Sequence, residues 1–206
     1  MIFALDLEGV LAPEIWPLLG DRLRVPDFSL TTRDLGDFDE LMRRRVSAAR
    51  AAGLTLRELQ GIAHQIEPYI GAREFIERLR AMGNVVIISD TFHEFSDPLA
   101  GRLGGVNLFA NQFEVDSRGL ISGFKLRIRG QKERIVSGFK SAGFAVAAMG
   151  DSLNDLSLLR SCDFPVLYRP VKALLEQFPG ASVAQHLDDA LSFMEAARRK
   201  VDENGG

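Results

Sequence analysis

The amino-acid sequence predicts an α/β protein, in which helices flank a parallel sheet and a small group of helices is inserted after the first strand. Three short apolar segments predict buried strands, at residues 2–5, 85–88 and 144–149. Each of these segments ends abruptly in polar side chains. Buried parallel strands are continuous apolar runs, and ligands bind at the carboxyl ends of such strands. The sequence therefore predicts one ligand site built from three distant segments.

The size and composition fit an ordinary globular protein. The 206 residues, 46% of them hydrophobic, are enough for one α/β core with a modest second lobe. A formal net charge of −3 gives no reason to expect nucleic acid as a partner. There is no basic leader and no apolar run of the roughly 18 residues that a membrane span needs. The single Cys162 cannot form an internal disulfide, so we predict a cytoplasmic protein without membrane contact and leave a homodimer open.

Residues 13–71 predict the helical insert, because they contain no strand-like apolar run. One helix opens near Asp37 and ends at Gly53, and the capping-box spacing at Thr55 starts another. The predicted domains are a core of residues 1–12 and 72–206 and a cap of residues 13–71.

Beyond residue 71, helices and strands alternate again. The apolar positions and turn residues predict a helix over 72–82, a strand over 85–88, a helix over 98–103, a hairpin of 109–115 and 120–126, a helix over 132–139, a strand over 144–149, a helix from 156, a strand over 164–168 and an amphipathic helix from 187 with a frayed polar end.

Two carboxylates, Asp6 and Glu8, follow the first predicted strand. They share one side of the strand if its extended geometry continues, since side chains alternate with a period of two. Carboxylates are costly at the end of a buried strand unless a metal or proton chemistry compensates for their desolvation. Taken alone, the pair is equally compatible with the capping of a loop or helix.

The other two strands end in similar groups. Ser89, Asp90 and Thr91 follow the second strand, residues 150–155 follow the third, and Lys132 lies between them. Carboxylates, a hydroxyl, backbone amides and one ammonium are the parts that Mg²⁺-assisted phosphoryl transfer needs. An aspartate can attack phosphorus, while a carboxylate two residues on protonates the leaving alkoxide and later deprotonates water.

Four features, namely the Asp6–Glu8 pair, the segment 89–91, Lys132 and the segment 150–155, resemble the motifs of the haloacid dehalogenase-like (HAD) phosphotransferase superfamily. Together they span nearly the whole chain. Within it, the sequence is most similar to phosphoserine phosphatases, and above all to the subgroup described as phosphoserine:homoserine phosphotransferases. The likeness rests on the position of the insert and on the segments 6–16, 41–46, 89–92, 109–111 and 119–120. It implies a Rossmann-like core with a helical cap, and Mg²⁺-dependent removal of phosphate from O-phospho-L-serine.

The resemblance also implies roles for single residues. Asp6 would be the nucleophile, Glu8 the general acid and base, and Lys132 the cation that neutralises the phosphoryl group. The implied metal ligands are Asp6, Glu8 (through its carbonyl), Asp151 and the supporting Asp155. The implied substrate contacts are Glu14 with the ammonium, Arg45 with the carboxylate, Ser89 and Asn154 with the phosphoryl group, and Asp90 and Thr91 on the neighbouring wall.

Two residues depart from the usual pattern. Glu8 stands where most phosphatases of the superfamily have aspartate, and Asp90-Thr91 stands where most phosphoserine phosphatases have two glycines. Both departures also fit the phosphotransferase subgroup. Three alternatives stay open: transfer of the phosphoryl group to homoserine, a phosphatase for another small metabolite, and a non-catalytic binder that keeps the fold.

Overall fold

The computed structural model describes residues 1–128 and 132–204. Within these residues seven strands form one sheet in the order β4-β3-β2-β1-β5-β6-β7. All neighbouring strands are parallel except β3 and β4. The strands are β1 (Ile2–Leu5), β2 (Asn84–Phe92), β3 (Asn107–Val115), β4 (Ile121–Lys125), β5 (Val146–Gly150), β6 (Phe164–Tyr168) and β7 (Ser182–Ala184).

Helices follow or connect these strands. They are α1 (Ile15–Leu23), α2 (Thr32–Leu35), α3 (Phe38–Ala51), α4 (Leu56–Ala63), α5 (Ala72–Arg80), α6 (His93–Arg102), α7 (Lys132–Ser141), α8 (Leu156–Ser161), α9 (Lys172–Leu175) and α10 (Leu187–Asn204), with short 3-10 turns at Pro26–Ser29 and Leu153–Asp155. In the described parts of the chain, no helix has the length and apolar character needed to cross a membrane.

The sheet is apolar on both faces, which explains the continuous apolar runs in the sequence. Along β1, Phe3 and Leu5 join one buried cluster, whereas Ile2 and Ala4 join the cluster on the opposite face. Helices cover both faces, as is usual for parallel sheets. The predicted α/β fold with a mostly parallel sheet and flanking helices is therefore confirmed.

The insert between β1 and α5 is helical, as predicted. The Asp37 side chain accepts a hydrogen bond from the Glu40 N–H at 2.9 Å and begins α3. Thr55 and Glu58 form the predicted capping box at the start of α4. The division of the chain into a separate core and cap stays a prediction.

The second strand and the helix after it differ from the prediction. β2 continues to Phe92 rather than ending at residue 88, and α6 begins at His93 rather than at Pro98. Pro98 lies inside the helix, where it has no N–H for the carbonyl of Glu94. That carbonyl instead accepts hydrogen bonds from the side chains of Gln60 in α4 and of His64 just after it, so the proline does not mark the start of the helix.

Three smaller differences concern the edges of the sheet and the last helix. β3 is more than one arm of a hairpin, because it pairs in parallel with β2 and extends the main sheet. The short strand β7 was not predicted. α10 continues to Asn204 through residues predicted to fray, and the Arg198–Asp202 ion pair at 2.8 Å joins successive turns of it.

Candidate active site

The carboxyl ends of three neighbouring strands form the site. β1 lies between β2 and β5, so the residues that follow these strands meet at one edge of the sheet. A cavity of about 650 Å³ lies between this edge and the helical insert. Its lining includes most of the predicted site residues: Asp6, Glu8, Glu14, Arg45, Ser89, Asp90, Thr91, Lys132, Asp151 and Asn154.

Lys132, the first residue of α7, forms the centre of the ionic network and is only 2% exposed. Its Nζ atom lies 2.8 Å from Asp155, 3.1 Å from Asp6 and 3.3 Å from Asp90. Burial alone would lower the pKa of Lys132, but these three carboxylates raise it well above its ordinary value. The ammonium is therefore charged at neutral pH and is surrounded by more negative than positive charge.

A group of three carboxylates can hold a metal ion. Oxygen atoms of Asp6, Asp151 and Asp155 all lie within 4.8 Å of one another. Burial, followed by the charge of Asp155, raises the pKa of Asp6 well above its ordinary value and that of Asp151 to about 7. Like charges held this close require a compensating cation, and carboxylate oxygens are the ligands that hard divalent cations prefer.

Asp155 lies behind the cavity and shapes the loop after β5. Its side chain is fully buried and accepts hydrogen bonds from the N–H groups of Asp151 and Ser152 at 3.0 and 3.3 Å. A Cβ atom at Gly150 would collide with Asp155, and one at Gly9 would lie 2.5 Å from an oxygen of Asp151. Glycine at these two positions therefore lets the strand-end loops approach the carboxylates closely.

The carboxylate of Glu8 lies between the core and the insert. It accepts a hydrogen bond at 2.9 Å from the N–H of Ile15, the first residue of α1. Burial raises the pKa of Glu8, while hydrogen bonds from the Thr91 side chain and the Ile15 N–H oppose this shift. A carboxyl group with a raised pKa is suited to donate a proton and take one back near neutral pH. Glu14, which was predicted to bind the substrate ammonium, is the exposed N-cap residue of α1 and lines the cavity.

Arg45 is the cation on the opposite side of the cavity. Of the three arginines 43–45, only Arg45 is buried, at 6% exposure. One terminal nitrogen donates to the carbonyl of Leu30 at 2.7 Å, and the other lies 3.8 Å from the sulfur of Met42. The Nε atom is buried without a hydrogen-bond partner among the described residues. Burial lowers the pKa of Arg45 to about 10, so the side chain remains charged at neutral pH.

Apolar side chains between Arg45 and the strand ends were not predicted as part of the site. Phe38, Leu41, Met42 and Arg45 share one face of α3 and all line the cavity. Their spacing of three, four and seven residues was the available signal in the sequence. Val171, in the loop after β6, and Ala173 of α9 also line the cavity, and nothing in their local sequence indicates this.

The chain belongs to the haloacid dehalogenase-like hydrolase family, whose model matches residues 4–160. The predicted family resemblance is confirmed. Over 201 residues the chain is 36% identical to the phosphoserine phosphatase ThrH of Pseudomonas aeruginosa, covering 97% of this chain and 98% of that protein. It is 35% identical to a phosphoserine phosphatase of Pseudomonas syringae pv. tomato, covering 97% of this chain and 85% of that protein.

Solved structures support the fold. A HAD family hydrolase of Salmonella enterica serovar Typhi superimposes with a TM-score of 0.77 at 20% identity, over 94% of this chain and 70% of that one. A phospho-aspartyl intermediate analogue of phosphoserine phosphatase gives a TM-score of 0.74 at 20% identity, over 93% of this chain and 97% of that one. At this level of identity the likeness concerns the fold alone.

Proposed function

We propose that this protein is a Mg²⁺-dependent phosphatase that hydrolyses O-phospho-L-serine to L-serine and phosphate through an aspartyl-phosphate on Asp6. One observation carries the proposal: a single cavity is lined by the Asp6–Lys132 network and, from the insert, by the buried cation Arg45. A small phosphate ester that also carries a carboxylate matches this distribution of charge. The two relatives named phosphoserine phosphatase support the same substrate.

The donor set fits Mg²⁺. Asp6, Asp151 and the carbonyl of Glu8 would hold the ion, and Asp155 would support the site through the loop after β5. The spacing of the carboxylates and the raised pKa values of Asp6 and Asp151 favour a divalent cation here. When bound, the ion neutralises negative charge on the transferring phosphoryl group and orients it.

The side chains provide a complete sequence of bond changes. A carboxylate oxygen of Asp6 attacks phosphorus, and the bond between phosphorus and the serine oxygen breaks. Glu8 gives its proton to that oxygen and so releases L-serine. Glu8 then takes a proton from water, which attacks phosphorus and breaks the bond to Asp6. Lys132 balances the charge that develops on the phosphoryl oxygens.

The remaining residues of the site would bind the substrate. Arg45 would bind the carboxylate through its guanidinium, because a planar guanidinium can pair with both carboxylate oxygens. Glu14 would bind the ammonium, and Ser89 and Asn154 the phosphoryl oxygens. Thr91 would orient Glu8. The cap of residues 13–71 would close over this arrangement and exclude water.

A second candidate function is transfer of the phosphoryl group to homoserine. The observation that favours it is Asp90, whose carboxylate lines the cavity beside Lys132 where related phosphatases have glycine. An additional carboxylate can bind the ammonium of an acceptor. Incubation with phosphoserine and homoserine, followed by mass spectrometry for phosphohomoserine, tests this candidate.

Phosphate release from phosphoserine and from a panel of other small phosphate esters tests the main proposal. We expect turnover with Mg²⁺, none with EDTA, and a higher kcat/KM for phosphoserine than for any other ester. The Asp6→Asn variant is the control and should fold normally but release no phosphate. If kcat/KM for phosphoserine is no higher than for generic phosphate esters, the substrate assignment is wrong. If the Asp6→Asn enzyme is active, the assignment of Asp6 as the nucleophile is wrong.

A further inference from the structure

Trp16 is the only tryptophan in the chain and lies in the first turn of α1. It is 5% exposed and lines the same cavity as Arg45. The guanidinium carbon of Arg45 lies over the indole ring, 4.9 Å from its centroid. Arginine on the face of tryptophan is a favourable cation–π arrangement, and more so when water is excluded. This contact is the feature of the site that the proposed reaction does not use.

The other contacts of Arg45 leave its guanidinium poorly constrained. Among the described residues, one short hydrogen bond of the guanidinium goes to the carbonyl of Leu30, and its contact with the Met42 sulfur is long. The described residues offer Nε no partner. An arginine side chain has many rotamers, and fixing it in one orientation costs conformational entropy. The indole face supplies the missing constraint, because it keeps the guanidinium over one ring.

The indole ring is itself fixed by other aromatic rings. Its edge-to-face neighbours are Phe28 at 5.0 Å, Phe95 at 5.4 Å and Phe113 at 6.2 Å between centroids. Phe113 stacks on Phe92 at 3.8 Å, with the two rings nearly parallel. Phe92 ends β2, whose earlier residues line the cavity beside Lys132. A continuous set of rings therefore connects Arg45 with the strand that carries the phosphoryl-binding groups.

We propose that Trp16 is a positioning residue that orients Arg45 toward the substrate carboxylate and so sets the preference for phosphoserine over phosphate esters without a carboxylate. This inference rests on the proposed function, in which Arg45 binds that carboxylate. Trp16 acts through Arg45 and takes no part in the bond changes at phosphorus. A tryptophan that served only to pack the insert would affect all substrates alike.

Steady-state kinetics on two esters test the inference. O-Phosphoethanolamine has the phosphoryl group and ammonium of phosphoserine but no carboxylate. Trp16→Leu should raise KM for phosphoserine about tenfold, the size expected for loss of a partly buried cation–π contact, and leave kcat nearly unchanged. KM for O-phosphoethanolamine should not change. Trp16→Phe keeps an aromatic face and should restore most of the phosphoserine affinity.

Two further variants separate positioning from packing. In an Arg45→Ala background, Trp16→Leu should have no additional effect on the ratio of kcat/KM values for the two esters, because both changes remove the same interaction. Leu59→Val is the packing control, since Leu59 is a fully buried residue of α4 that does not line the cavity. Its effect should be equal for the two esters.

Fluorescence gives a readout that does not depend on turnover. Because Trp16 is the only tryptophan, Arg45→Ala should change the emission of the free protein, whereas Arg43→Ala should not. The positioning role would be overturned if Arg45→Ala left the emission unchanged, or if Trp16→Leu reduced kcat/KM equally for both esters. Either result would leave the proposed function intact. If instead the wild-type enzyme releases no phosphate from phosphoserine while Arg45→Ala still changes the emission, the proposed function is overturned. The selectivity that we assign to Trp16 is then overturned with it.

Discussion

Lys132 is the residue on which the ionic balance of the site depends. Its ammonium contacts Asp6, Asp90 and Asp155 while nearly all of it is buried. Removing one partner of a buried ionic network leaves uncompensated charge, which costs much more than removing a surface ion pair. The contribution of Lys132 to stability can therefore be measured by unfolding, without any measurement of activity.

Replacement of this lysine should be strongly destabilising. We expect Lys132→Met to lower the free energy of unfolding by about 3–5 kcal/mol, because three carboxylates lose their cation. Urea unfolding without metal gives this value. Lys172→Met is the matched control: Lys172 is 90% exposed and lies 3.9 Å from Glu176, so its replacement should have little effect. A similar loss of unfolding free energy in the two variants would show that the buried ionic network of Lys132 does not stabilise the fold.

Arg45 should matter only for substrates with a carboxylate. Arg45→Ala should reduce kcat/KM for phosphoserine by roughly 10- to 150-fold, the equivalent of a charge-assisted hydrogen bond, and leave O-phosphoethanolamine nearly unaffected. Arg43→Ala, an exposed arginine on the same helix, is the control and should change neither value. If Arg45→Ala reduced kcat/KM equally for both esters, Arg45 would not be the residue that recognises the substrate carboxylate.

At the scale of helices and strands, the sequence was most informative where local rules decide. The strand ends that carry Asp6 and Asp151 were predictable, because apolar runs identify the strands and parallel pairing collects their carboxyl ends. The extension of β2 was not predictable, since Ser89 and Thr91 are polar yet buried against the cavity. A local pattern does not show that a strand continues through buried polar residues.

The positions of Trp16 and of the loop after β6 at the cavity were also beyond sequence reasoning. Trp16 contacts rings from α6 and β3 that lie far along the chain. A tryptophan next to a helix start indicates burial, but it does not indicate that an arginine of another helix lies on its face. The predicted family resemblance implied a role for Arg45 but not its contact with the indole ring.

The cap of α4 is an element that the sequence predicted and whose strength can be measured. The side chain of Thr55 accepts from the Glu58 N–H, and the side chain of Glu58 accepts from the Thr55 N–H at 2.8 Å. Thr55→Ala should therefore cost about 1 kcal/mol of unfolding free energy, whereas Thr55→Ser should cost little. Urea unfolding of the three proteins distinguishes them, and equal stability would show that the cap contributes nothing.

At the scale of the whole molecule, the second half of the insert is bound to the core at several points. Arg50 of α3 contacts the Asp116 carboxylate at 3.2 Å and the Ile121 carbonyl at 3.1 Å. The N–H of Leu56 donates to the carbonyl of Gly119 at 2.8 Å. The preceding segment, residues 26–35, packs on α1 and α3 within the insert, and Arg44 and Arg45 bind it. We therefore expect substrate entry to require movement near residues 26–35, with α4 remaining on the β3–β4 turn.

A disulfide across the bridge between residues 55 and 120 tests this expectation. Thr55 and Leu120 are antiparallel partners. The neighbouring hydrogen bond from the Leu56 N–H to the Gly119 carbonyl makes them a non-hydrogen-bonded pair, and the Cα atoms of such a pair are close enough for a disulfide. The oxidised Thr55→Cys/Leu120→Cys protein should hydrolyse phosphoserine with the same kcat and KM as its reduced form. The reduced form is the control, because both forms lack the Thr55 side chain that caps α4. Burial raises the pKa of Cys162 to about 12, so this thiol should not compete. Activity that disappears on oxidation and returns with reductant would show instead that the insert must leave the β3–β4 turn as one body to admit the substrate.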